Sequence, residues 1–211
     1  MLAKLDRRVR RAMRRVLRMT PARPERVVHV STSGELVRVL RRVRWASARH
    51  PLLVRLAPGD YRVSSWVPDG ITLDGPGARL WWDEDGDVLN ASGRDVILRR
   101  LTVDHVGPGR GYAVHADGPG RSARLTLVDV TLRGATKASL GLGLFAGQEV
   151  QATGSRFEGT AGADGVYAHN WHSQPAPCRI EMHGCTYTAE AGAPTRWVDL
   201  GSGQPDVVRF A

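Results

Sequence analysis

Cysteine is scarce in this chain of 211 residues, which holds two, Cys178 and Cys185. Two thiols make no disulfide framework, and their spacing matches no common zinc signature. No stretch is apolar for the length needed to cross a bilayer. The N-terminus carries charge but lacks the apolar core of a secretory leader. A cytoplasmic or particle-associated location is therefore expected, and neither a metal nor a cofactor is. The chain also lacks an even spread of charge. Residues 1–18 hold eight Lys/Arg against one Asp (+7), residues 19–50 seven Arg against two Glu (+5), and residues 51–211 fifteen Lys/Arg against eighteen Asp/Glu (−3). A basic head on a slightly acidic body is not the pattern of a uniformly basic nucleic-acid-binding domain.

What is present favours strands. Hydrophobic residues make up 42% of the chain, enough for a core, and the 24 glycines separate short aliphatic runs. At the N-terminus, Leu2, Leu5, Val9, Met13 and Val16 recur at three- and four-residue steps among arginines. That spacing predicts a basic amphipathic helix over 1–20, stopped by Pro21 and Pro24. Residues 21–30 read as a linker. A second helix is expected over 31–50, with Ser31 or Thr32 as N-cap and Glu35 as the capping-box partner of Thr32. Its apolar face would be Leu36, Val37, Leu40, Val43 and Trp45. Residues 51–211 form the remaining domain, opening with PLLVRLAPGDYRV, a strand, a turn and another strand.

A repeat runs through that domain. Segments starting at Ile71, Val96, Leu125, Val150 and Ile180 each place two apolar or small residues two apart, leave a gap of three, and place another such pair. The columns are Ile71/Val96/Leu125/Val150/Ile180, Leu73/Leu98/Leu127/Ala152/Met182, Pro76/Leu101/Val130/Ser155/Cys185 and Ala78/Val103/Leu132/Phe157/Tyr187. The steps are 25, 29, 25 and 30 residues. The first segment fits worst, because Pro76 cannot donate a ladder hydrogen bond. Between these lie YAVHAD (112–117), LGLGLF (140–145), VYAHNW (166–171) and WVDLGS (197–202), with Val114, Leu142, Ala168 and Val198 expected to point inward. Period-two alternation within a period near 27 residues predicts an all-β fold, a right-handed parallel β-helix (solenoid) of short stacked strands. Helix 31–50 would cap its N-terminal end against strand-edge pairing.

The segments APGDYRV and GITLDGPGARL resemble the opening coils of pectate-lyase-like right-handed β-helix proteins. The later run HADGPG, GLGLFAGQ and YAHNW is similar to small β-helix proteins of phage tails and related particles. The resemblance covers roughly residues 51–205 and implies the same fold. Because that fold carries lyases, hydrolases, epimerases and adhesins, it implies no single function. It also implies a homotrimer, attached to a larger assembly through residues 1–20. For that helix, nucleic acid and an anionic membrane are the other partners considered.

In the second register the outward residues are expected in columns: His115, Gly143, His169 and Asp199; Ala113, Gly141, Tyr167 and Trp197; Asp117, Phe145, Trp171 and Gly201. This describes a shallow trough floored by Gly141 and Gly143. Tyr167, Asn170, Trp171, Trp197, Asp199 and Phe145 would bind a polysaccharide or cell-surface glycan, rings stacking on sugar C–H faces and polar groups taking hydroxyls. For catalysis by a polysaccharide lyase or glycoside hydrolase, His115 or His169 is the candidate base, with Asp117, and Arg121 or Lys137 is the group that would neutralise a uronate. Asp104 and Asp117 are the carboxylates that could come close enough for hydrolysis. The paired aspartates and Gly-His-Gly element of the polygalacturonase-like branch are missing, as is the acidic calcium cluster of the pectate-lyase branch. DEDGD (83–87) lacks the closing Glu of an EF-hand and reads as a solvated turn. Three functions compete: a glycan-binding module of a tail-like particle or surface assembly, an enzyme acting in the same groove, and a structural subunit without a ligand.

Overall fold

The computed structural model describes residues 26–43, 50–107, 109–117, 123–134, 137–143, 148–160, 163–169, 179–189, 197–199 and 207–210. The expected helix over 1–20 lies outside them. The elements are β1 (Arg26–Val30), α1 (Ser33–Arg42), β2 (Leu52–Leu56), β3 (Gly59–Arg62), β4 (Ser65–Trp66), β5 (Ile71–Trp82), β6 (Leu89–Asn90), β7 (Val96–His105), β8 (Tyr112–Asp117) and β9 (Arg124–Val128). They continue with β10 (Thr131–Gly134), β11 (Ala138–Gly143), β12 (Glu149–Thr153), β13 (Arg156–Gly159), β14 (Asp164–His169), β15 (Arg179–His183), β16 (Thr186–Ala189), β17 (Val198–Asp199) and β18 (Val207–Phe210).

Every strand pairing among these residues is parallel. One sheet runs β1-β2-β5-β7-β9-β12-β15-β18, with β3, β10, β13 and β16 paired alongside, and a six-stranded sheet runs β17-β14-β11-β8-β6-β4. The chain is a parallel β-solenoid, as its repeat predicts. Leu73, Leu98, Leu127, Ala152 and Met182 stand directly over one another, as do Val103, Leu132, Phe157 and Tyr187. Leu73, Leu98 and Leu127 are fully buried, facing a core that Val114, Leu140 and Val166 complete from the six-stranded sheet. Each such side chain contributes about 1.5–3 kcal/mol by leaving water.

The gap of three in the repeat has a backbone cause. Between β9 and β10, Asp129 takes a left-handed conformation (φ 52°), and Arg100, Gly154 and Gly184 do the same in their coils (φ 55°, 59° and 59°). These four residues stand over one another, and the Asp129 amide donates to Thr153 O (3.0 Å) and the Gly154 amide to His183 O (2.9 Å). One left-handed residue turns the strand, so that the inward residues before and after the bend, Leu98 and Leu101 or Leu127 and Val130, stand three apart. The coil of β5 differs. There β5 carries an irregularity between Asp74 and Ala78, so Ala78 pairs with Leu101 and Leu80 with Val103. The expected pairing of Ala78 with Val103 is off by two, because Gly75, Pro76 and Gly77 fill the bend with extra residues.

Two further expectations change. Arg26–Val30, expected in a linker, form β1 and pair with β2 in register Arg26↔Leu52; Val30 is buried and Val27 exposed, the alternation of an edge strand. The second helix spans Ser33–Arg42 rather than 31–50. Thr32 is its N-cap, accepting from the Glu35 amide at 3.2 Å. The Glu35 carboxylate accepts from the amide and hydroxyl of Ser31 (2.9 and 3.1 Å), and these bonds first, with Thr32 contributing less, hold its carboxyl below the usual range. Leu36 and Leu40 are buried in the core. Among the described residues, no helix is long and apolar enough to cross a membrane.

Outward residues of the larger sheet form charge ladders between coils. The fully buried carboxylate of Asp74 accepts from Arg100 (2.9 and 2.7 Å) and pairs with Arg99 (3.2 Å). Burial pushes this carboxyl upward, but the two guanidinium groups outweigh it and hold it below its ordinary value. Asp104 is likewise buried and paired with Arg79 at 2.6 Å.

Candidate functional site

The six-stranded sheet carries the predicted surface, with its rows displaced from expectation. His115 pairs with Gly141, Gly141 with Tyr167, and Tyr167 with Asp199. Asp117 pairs with Gly143, and Gly143 with His169. Gly143–His169 and Gly141–Tyr167 are neighbours as expected. His115, however, belongs to the Gly141–Tyr167 row, and Asp117 takes the place predicted for His115. Inside, Val114 stacks with Leu140 and Val166, not with Leu142 and Ala168. The row extends further than the sequence showed, since Asn90 pairs with His115 and Trp66 with Asn90. The outward row is thus Trp66, Asn90, His115, Gly141 and Tyr167, with Asp199 next in register, one residue per coil, about 4.8 Å between neighbours.

At its centre His115 is held by one aspartate and faces a second. Its Nδ1 lies 2.9 Å from Asp87 Oδ2 and its Nε2 4.0 Å from Asp117 Oδ2. Asp87 Oδ1 accepts the Tyr112 amide at 2.9 Å, so one carboxylate fixes both strand β8 and the imidazole. A carboxylate at Nδ1 favours the tautomer with its proton there and places Nε2 on the side of Asp117. The Tyr112 ring centroid is 4.9 Å from that of His115. Burial, then the neighbouring Tyr167, Asp87 and Asp117, push the Tyr112 phenol upward, so it stays protonated. The trough floor is not open as expected: a Cβ on Gly141 would lie 2.6 Å from the Tyr112 ring and one on Gly143 2.5 Å from Asp117 Oδ1. The ring and the carboxylate lie across the glycines of the next coil.

The loop 83–87 builds this centre. Asp83 and Glu84 pair with Arg62, Asp85 accepts the Arg110 amide at 2.8 Å, and Asp87 turns inward to Tyr112 and His115. Gly107, Gly109 and Gly111 of the next coil lie directly on it. A Cβ on Gly107 would sit 2.1 Å from Asp83 O and one on Gly111 2.1 Å from Gly86 O, so only glycine permits that contact. The turn reading of DEDGD therefore stands for its first residues, while Asp87 belongs to the site. Among the described residues, no group of three or more His, Cys, Asp and Glu side chains is placed to hold a metal ion.

The remaining candidates divide. Lys137 Nζ lies 3.8 Å from the Tyr167 ring centroid, a cation–π contact on that ring. Trp197 faces inward: it packs on the core with ring centroids 6.0 Å from Phe157 and 5.7 Å from Tyr187. The expected outward column put it beside Tyr167, but Tyr167 pairs with Asp199, two residues further on. Asp104 sits on β7 in the larger sheet with Arg79 and does not join Asp117. His169 and Asp199 are placed by their strand registers alone. Arg121, Phe145, Asn170 and Trp171 lie outside the described residues. Sequence reasoning missed Trp66, Asp87, Asn90 and Tyr112. A signal existed for one: Asp87 precedes His115 by 28 residues, about one coil.

No protein-family model matches the chain, and a search of curated proteins returned no match.

Proposed function

We propose that this protein is a glycan-binding module on a right-handed β-helix, with the six-stranded sheet as its sugar-facing side. The observation that carries the reading is the row His115–Gly141–Tyr167–Asp199 on one wall, with Asp87 and Asp117 beside the imidazole. An imidazole and a phenol ring offer faces to sugar C–H bonds, and the neighbouring carboxylates accept hydroxyl protons. The row runs across several coils, which suits a polymer better than a small metabolite. Helix α1, with Leu36 and Leu40 in the core, would close the N-terminal end of the stack. Residues 1–20 would attach the module, as a trimer, to a tail-like particle or another surface assembly. A printed array of neutral, acidic and amino-sugar oligosaccharides, probed with the wild type and a His115→Ala/Tyr167→Ala double variant, tests the reading. Binding by the wild type and its loss in the variant is expected. An array that retains neither protein overturns it and leaves a structural subunit.

A second reading is favoured by one contact. Asp87 holds the Nδ1 side of His115 and leaves Nε2 beside Asp117, the arrangement of an oriented general base. On this reading the wall belongs to a polysaccharide lyase or glycoside hydrolase. New reducing ends, or unsaturated ends that absorb ultraviolet light, released from an array-positive oligosaccharide would establish it; intact oligosaccharide after prolonged incubation would exclude it.

A further inference from the structure

Trp66 has no role in the core. Among the described residues three large hydrophobic side chains are exposed, Val27, Trp66 and Val106, and Trp66, at 51%, is the aromatic one. It belongs to the two-residue strand β4 at the edge of the six-stranded sheet, and its register partner is Asn90. Asn90 in turn pairs with His115. The indole is thus two strand spacings from the imidazole in the same outward row, about 10 Å away.

Asn90 is prepared for a ligand. Its Oδ1 accepts the Ser92 amide at 3.3 Å and also the Ser92 hydroxyl. That consumes the carbonyl end of the amide and fixes its plane. The Nδ2 end is left as a donor of two hydrogen bonds at a half-exposed position between Trp66 and His115. The Ser92 hydroxyl also accepts the Asp117 amide at 2.7 Å, so the Asn90 amide is braced against the strand that carries His115.

We propose that Trp66 and Asn90 form a further sugar subsite in line with His115 and Tyr167, so that the wall holds one extended glycan chain lying across the strands from β4 toward β14. This rests on the glycan-binding reading above and specifies its ligand as a linear oligosaccharide of several units. One sugar stacks on the Trp66 indole, the Asn90 amide donates to a ring substituent of the next, and the chain continues to His115 and Tyr167. From β4 to β14 the row spans four strand spacings, about 19 Å, too long for a mono- or disaccharide to reach both ends.

The test uses the oligosaccharide that the array identifies, prepared as a length series from the disaccharide to the octasaccharide and titrated calorimetrically into wild type, Trp66→Ala and Trp66→Phe. Wild-type affinity is expected to rise with length. Trp66→Ala is expected to bind the disaccharide as the wild type does and the long members about fivefold to tenfold more weakly, the effect of one lost stacking contact. Trp66→Phe should recover most of that loss. Circular dichroism spectra matching the wild type confirm that an exposed substitution leaves the fold intact. Equal affinity of Trp66→Ala and wild type at every length overturns this subsite and leaves the His115 reading untouched. Equal weakening at every length, disaccharide included, also overturns it. An array that retains no wild-type protein removes both.

Discussion

Replacing Gly184 and Gly154 by alanine separates two costs at the bend of each coil. Both glycines have φ 59°, and both stand in the column that Arg100 and Asp129 share. An L-residue in the left-handed region costs about 1–2 kcal/mol, while alanine lowers the entropy of the unfolded chain by about 0.4–1 kcal/mol. A Cβ at Gly184 meets nothing within 4 Å, so the backbone alone sets the loss, a net of about 1 kcal/mol. A Cβ at Gly154 would lie 2.6 Å from Asp129 Oδ1. Pushing that carboxylate off its rotamer adds about 0.5–1.5 kcal/mol, bringing Gly154→Ala to about 2 kcal/mol. Asp129→Gly removes the obstacle, and the pair Asp129→Gly/Gly154→Ala should then cost about 1 kcal/mol less than the separate changes imply. Urea unfolding followed by far-ultraviolet circular dichroism reads these as midpoint shifts, about 0.5 M per kcal/mol for a slope near 2 kcal/mol/M. The account fails if Gly184→Ala leaves the midpoint unmoved, or if Gly154→Ala shows no coupling to Asp129→Gly.

Three further outcomes are expected. Asp74→Asn should destabilise by about 1–3 kcal/mol near neutral pH, less than a fully buried ion pair because the freed arginines can be rehydrated. Its folded carboxyl is held below the ordinary value, so its stabilisation is complete above about pH 4 and is lost as pH falls through the lowered value; the difference in melting temperature between wild type and variant should close in acid, and a difference unchanged down to about pH 2 would contradict this. Leu127→Ala, at a fully buried position stacked between Leu98 and Ala152, should cost about 2–5 kcal/mol in the same urea assay, and a loss well below that range would place Leu127 outside a packed core. Asp87→Ala should release the Nδ1 proton preference of His115, shifting the neutral imidazole toward the Nε2–H tautomer in nitrogen-15 NMR spectra; an unchanged tautomer ratio would show that Asp87 does not hold the ring.

The larger sheet was legible in its register and the six-stranded sheet only in its faces, for a reason of parity. Alternation of period two tells which side chains face inward, but a slip of two residues preserves it. On the six-stranded sheet nothing breaks that symmetry, so His115 is expected beside Gly143 and stands beside Gly141; Trp197 departs for another reason, since it precedes the two-residue strand β17 and turns its ring onto the core. On the larger sheet the left-handed residue at Arg100, Asp129, Gly154 or Gly184 interrupts the alternation once per coil and pins the pairing, which is why Leu98, Leu127 and Ala152 were aligned correctly. Where extra residues enter that bend, at Gly75–Gly77, the pairing shifts by two from the repeat. Strands β4 and β6 have two residues each, too short for any periodicity, and with them Trp66 and Asn90 escaped notice. Strand β1 was hidden by its neighbours Pro21 and Pro24. Asp87 was lost because an acidic, glycine-bearing run reads as a turn, and its partner stands a whole coil away.

A side chain's neighbour in the next coil is chosen by main-chain hydrogen bonds, not by the side chain itself. An outward position whose side chain has space around it and holds no bond to a neighbouring coil can therefore change identity while the lattice beneath it stays put. Recognition on such a wall would drift by single substitutions, at the exposed Trp66 for instance, with little penalty to folding. Preference for a ligand and durability of the scaffold are then separately heritable traits.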